Sequence, residues 1–204
     1  VLSQQEKEFC RWRYQRYYKT LRKEISSLNP FSTKIRKVLD FVLNLDKIYV
    51  STNLYRGPNV PEGSAFKDGV ILKYNMFYKD FKYALFHESF HYLFHMKRKI
   101  PREKMEIEAN TAALILSQIS PVLWKYYTKQ PFDLNFFGKD VENILEKKYK
   151  IRKIEPEEYL WLKDKVVNYS KEVYLKKIER IKNVIKSIRL PNLKLKFYEI
   201  PIVY

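Results

Sequence analysis

Histidine occurs three times in this chain, at positions 87, 91 and 95. A repeated spacing of four has one natural geometry, the α-helix. Its 3.6-residue turn brings residues i and i+4 to the same face, about 6 Å apart along the axis. Two imidazoles so placed, His87 and His91, can share one tetrahedral metal ion, and Glu88 between them can reach a water on that ion. The neighbours Tyr83-Ala84-Leu85-Phe86 and Tyr92-Leu93-Phe94 are apolar, so the helix is predicted to be buried. Buried histidine and glutamate need partners. A metal supplies them; the competing reading is a hydrogen-bonded histidine pair in an ordinary core.

His87-Glu88-Ser89-Phe90-His91 fits the H-E-x-x-H pattern of zinc metallopeptidases. A third protein ligand is required. His95 lies two turns beyond His87, about 12 Å along the axis, so one ion cannot take both. The next predicted helix offers Glu103, Glu106 and Glu108. Glu106 and Asn110 are four apart and share a face. Glu106 can bind the metal while Asn110 accepts from the far nitrogen of a ligand histidine. Glu108 would put Ala112 in that slot, and Glu103 suits a solvated helix start that balances the dipole. Glu106 is the preferred third ligand, with Glu108 and Glu103 as alternatives, and one Zn2+ per chain is expected.

The two motifs together, His-Glu-x-x-His and Glu106-Ile107-Glu108-Ala109-Asn110, followed by Ala112-Ala113-Leu114 and a Ser120-Pro121 break, resemble the ImmA/IrrE zinc metallopeptidases. Asp68-Gly69-Val70-Ile71-Leu72-Lys73-Tyr74-Asn75 is similar to that family's strand before the active-site helix, and a histidine often follows where His95 stands. The likeness spans residues 64–121. It departs at Phe90, where the family usually has a small residue, and at Ala112, where it often has Phe. The resemblance implies a cleft bordered by the strand before the metal helix. Val70, Ile71, Leu72, Lys73 and Tyr74 would then offer a free edge to an extended substrate. It also implies a narrow protein substrate, often a helix-turn-helix repressor whose single cleavage releases a stress or mobile-element response.

With 204 residues, 46% of them hydrophobic, the chain can build one domain or one domain with an appendage. Four glycines predict few loops and many helices. The single cysteine, Cys10, forbids an internal disulfide and favours a reducing compartment. No stretch reaches the roughly 18 apolar residues of a membrane span. The basic, aromatic start lacks the form of a signal peptide. A cytoplasmic protein without membrane contact is expected.

Lysine and arginine number 40 against 23 acidic residues, a net charge of +17. Such a chain attracts nucleic acid at long range. Residues 4–25 read as a helix with Cys10, Tyr14, Tyr17 and Leu21 on one face and Arg11, Arg13 and Arg16 among its aromatics. Those arginines could track a phosphate backbone, although basic side chains draped over their own aromatics are the plainer reading. A long helix from Pro156 to Arg189 carries Lys176, Lys177, Arg180 and Lys182 on its polar face, a surface for nucleic acid or an acidic partner.

Between these lie an N-cap at Ser32 with Ile35, Val38, Leu39 and Val42 as a buried stripe, a strand in 47–54, and a hairpin about Lys67-Asp68. A C-terminal strand is read from Leu193, Leu195 and Phe197. The expected fold is α+β: a mostly helical, zincin-like core with a small antiparallel sheet in residues 1–130, and a helical extension in 131–204. The expected activity is zinc-dependent cleavage of a regulatory protein, with weak, nonspecific nucleic-acid binding beside it. The alternatives are a basic nucleic-acid-binding module with a structural zinc site, and a DNA-associated protease of the SprT-like kind.

Overall fold

A computed structural model of the chain describes residues 2–52, 62–119, 124, 130–146 and 193–198. The first helix, α1 (Gln4–Ile25), opens on a reciprocal cap: Ser3 Oγ accepts from the Glu6 N–H at 3.2 Å, and the Ser3 N–H donates to Glu6 Oε2 at 2.6 Å. It buries Cys10, Tyr14, Tyr18, Leu21 and Ile25. Tyr18 thus takes the central place expected of Tyr17, which stays partly buried beside it. Helix α2 (Thr33–Leu43) starts at Ser32 and buries Ile35, Val38, Leu39 and Val42, as its spacing predicts. The Tyr18 hydroxyl ties the two helices together by donating to the Val42 carbonyl at 2.8 Å.

Four short strands follow: β1 (Lys47–Ser51), β2 (Gly63–Phe66), β3 (Gly69–Lys73) and, from the C-terminal part of the chain, β4 (Lys194–Tyr198). The hairpin β2–β3 is antiparallel and turns at Lys67-Asp68. Gly69 leaves it at φ 143°, a conformation that side chains disfavour. The sheet order is β2-β3-β1-β4, and β1 runs parallel to both β3 and β4. The sheet is therefore mixed, not antiparallel as expected. Alternation in a sequence marks a strand and its two faces but not the direction of its neighbours. The pairing of β1 with β4 also brings residues 194–198 into the same sheet as strands of the first 130.

Helices α3 (Tyr78–Phe94) and α4 (Arg102–Ser117) complete the core. Helix α3 packs against α4, α2, β2 and β3, and Phe81, Ala84, Leu85, Phe86 and Phe90 are all buried. Helix α4 ends at Ser117, where Gln118 adopts a left-handed conformation and caps it. A short α-helical turn, Gly138–Asp140, runs on into a π-helical turn, Val141–Glu146. The long basic helix read over 156–189, with Lys176, Lys177, Arg180 and Lys182, lies outside the described residues. The fold class is α+β, with helix in more than half of the described residues.

Candidate metal centre

Helix α3 turns His87 and His91 toward the start of α4, where Glu106 meets them. His87 Nε2 and His91 Nε2 are 3.0 Å apart, and they lie 3.3 Å and 3.5 Å from the two oxygens of Glu106. With metal–ligand distances near 2.0–2.1 Å, a tetrahedral ion has ligand–ligand edges of about 3.3 Å. Each of these spacings is near such an edge, and the His87–His91–Glu106 group could hold a metal ion. Burial alone would raise the Glu106 carboxyl. Hydrogen bonds and charge from His87 and His91 outweigh it and hold the group well below its usual range.

Of the other acidic candidates, Glu103 is exposed at the start of α4. Glu108 is buried but turned elsewhere: one oxygen lies 3.0 Å from His95 Nε2, and the other pairs with Lys34 Nζ from α2. His95 caps the end of α3 and stands outside the metal group, as its distance along the helix requires.

Glu88 lies beside the triad, with Oε1 3.9 Å from His87 Nε2. Burial pushes its carboxyl up to about 8; His91 pulls it down, Glu106 pushes it up, and a backbone hydrogen bond from Ala65 pulls it down. Strand β2 presses closely on it. A Cβ built on Gly63 would lie 2.9 Å from Glu88 Cγ and 2.9 Å from the Ile71 carbonyl oxygen, so only glycine fits there without displacement.

Two expectations are corrected. Asn110 does not accept from a ligand histidine. Its Oδ1 accepts from the Tyr83 hydroxyl at 2.9 Å, and its Nδ2 donates to the Pro131 carbonyl at 2.9 Å. The far nitrogen of His91 instead meets His95, Nδ1 to Nδ1 at 2.8 Å. Helical spacing places Asn110 and Glu106 on one face but does not set how that face meets α3. The far nitrogen of His87 is buried without a hydrogen-bond partner among the described residues.

The second correction concerns Val70 to Tyr74. Strand β3 is paired on both sides, antiparallel to β2 and parallel to β1, so it has no free edge. Among the described residues, the unpaired edge next to α3 belongs to β2. The run Val70-Ile71-Leu72 is apolar because it is interior: all three are at most 7% exposed.

Phe90, the bulky residue of the motif, is fully buried with its ring near Phe94, His95 and Phe137. The α1 arginines lie over aromatic rings of their own chain: Arg11 over Phe197, Arg13 over Tyr17 and Phe77, Arg16 over Trp12. Sequence reasoning missed Lys34 and Gly63. Lys34 carries no signal in sequence. Gly63 does, as a glycine at the edge of a strand pattern. No helix among the described residues is long and apolar enough to cross a membrane. The chain matches no family model, no curated protein and no solved structure.

Proposed function

We propose that this chain is a zinc-dependent endopeptidase with a zincin-like core. The observation that carries the reading is the convergence of His87 Nε2, His91 Nε2 and the Glu106 carboxylate at tetrahedral edge lengths, with Glu88 buried alongside. Three protein ligands leave a fourth position open, as a catalytic site needs and a structural one does not. Zinc held there would polarise the scissile carbonyl and make water acidic enough to act near neutral pH.

Glu88 supplies the base. Its carboxylate would accept the proton of the attacking water and return it to the leaving amine nitrogen. The Ala65 backbone hydrogen-bonds to the group from β2, and the missing side chain of Gly63 leaves it room.

The substrate is best placed along β2. An extended segment adding to that edge by main-chain hydrogen bonds would run beside Glu88. With the resemblance of its two motifs to the ImmA/IrrE peptidases, this favours a flexible segment of one regulatory protein, such as a helix-turn-helix repressor, over general digestion. The arginines of α1, lying on their own aromatics, favour the peptidase over a nucleic-acid-binding module.

Glu88→Gln tests the mechanism, because it removes the base and leaves all three ligands. The variant should bind one zinc with unchanged thermal stability and lose cleavage by a factor of about 10²–10⁴. Glu106→Ala should lose the zinc itself. Equal cleavage by Glu88→Gln and wild type would refute the assignment.

A further inference from the structure

A histidine that lends one ring nitrogen to a metal must carry its proton on the other. His91 Nε2 faces His87 and Glu106, so a bound ion places the His91 proton on Nδ1. That atom is 2.8 Å from His95 Nδ1. Two ring nitrogens at this distance form a hydrogen bond only when one bears the proton and the other a lone pair. His95 Nδ1 must then be bare and its proton must sit on Nε2, which points at Glu108 Oε2 from 3.0 Å. The remaining Glu108 oxygen takes Lys34 Nζ. Every donor along the line meets an acceptor, from His91 to His95 to Glu108, with Lys34 closing the far end.

The line spans three helices, and its middle is buried: His95 and Glu108 are each 6% exposed. A buried carboxylate is costly unless it is paired and fully hydrogen-bonded, and here both its oxygens are engaged. The other ligand histidine has nothing comparable, since His87 Nδ1 lacks a partner among the described residues. Orientation from behind the ligands is thus concentrated on His91.

We propose that His95, Glu108 and Lys34 form a positioning chain that fixes the tautomer and ring orientation of His91 and thereby sets the affinity of the centre for its metal. This rests on the metal-holding part of the reading above. It gives Glu108, two positions from a metal ligand, a separate role, and it makes Lys34 of α2 a distant determinant of the site.

The test uses the full chain, stripped of metal and titrated with zinc against a chromogenic chelator. Wild type should take one zinc. Glu108→Leu and His95→Phe, which remove the chain's links, should weaken it by about 10- to 100-fold, the usual cost of losing such partners. Glu108→Gln keeps an acceptor for His95 and should recover part of that loss. Lys34→Met should fall between wild type and Glu108→Leu.

A tautomer readout separates positioning from mere packing. In long-range proton–nitrogen spectra of the zinc-loaded protein, His95 should carry its proton on Nε2. The assignment should persist in Glu108→Gln and be lost in Glu108→Leu. If Glu108→Leu does not fold, the wild-type spectrum with Glu108→Gln and Lys34→Met decides. Unchanged affinity in the variants, or a His95 proton on Nδ1, would overturn the chain while leaving the metal centre standing. A wild-type protein that takes no zinc would overturn the metal reading and the chain with it.

Discussion

At residue 63, hydrogen in place of a side chain decides where β2 can lie. Of the three close contacts a Cβ would meet there, one is a backbone carbonyl, Ile71 O, which cannot swing aside, and the others are Glu88 Cγ and Leu72 Cδ2. Gly63→Ala should therefore push β2 outward or displace Glu88. The expected result is a loss of about 1–3 kcal/mol in denaturant unfolding, the usual cost of overpacking. Cleavage should fall while zinc stoichiometry stays at one. Unaltered stability and cleavage would show that β2 adjusts freely. At this scale the ligand residues were legible, because a helix fixes which residues share a face. The partner behind the ligands was not. Asn110 was expected there and His95 was weighed only as a metal ligand; whether Asn110 reaches a ligand histidine depends on how α4 is rotated against α3, whereas His95 meets His91 along α3 itself. Tyr83 and Pro131 take both ends of the Asn110 amide, and neither contact has a trace in local sequence.

Among the elements, α1 supports the candidate site from outside it. Tyr14, fully buried, donates to the Lys73 carbonyl at the end of β3 and accepts from the Met76 N–H at 3.1 Å. It thereby pins the turn that leads from β3 into α3. Tyr14→Phe keeps the ring and removes both bonds, leaving two backbone groups unsatisfied. A cost of about 1–3 kcal/mol is expected from urea unfolding; a neutral result would mean that water replaces the hydroxyl. The elements themselves were largely readable: α1 and α2 from their apolar spacing and caps, and the hairpin from Lys67-Asp68-Gly69. The rank of β3 within the sheet was less so. A strand of Val70-Ile71-Leu72 is apolar whether it borders a cleft or fills a centre. What places it in the interior is β1, which reaches it in parallel from earlier in the chain.

Across the whole molecule, the tyrosines couple the fold to pH. Burial first and foremost raises the hydroxyls of Tyr14, Tyr17, Tyr18, Tyr74, Tyr78 and Tyr83, with Tyr74 pushed up to about 12. An unfolded tyrosine titrates near 10. Folded tyrosines that ionise later contribute stability that is intact below about pH 10 and is lost as pH rises through their folded values. The thermal midpoint should thus fall as pH rises above about 10 and on through the raised folded values. Tyrosinate absorbance at 295 nm should appear together with unfolding rather than ahead of it. Smooth ionisation of all six at ordinary pH with the fold intact would contradict this. The position of β4 bears on how the protein is made. Strand β1 is complete by residue 51, yet the neighbour that covers one of its sides is residues 194–198. On the ribosome, that side of β1 waits with its main-chain groups unpaired while more than a hundred further residues are synthesised, and such open strands recruit other chains. Nascent chains halted before residue 193 should need chaperones to stay dispersed, which sedimentation of stalled complexes would reveal, whereas release of the finished strand should end that dependence.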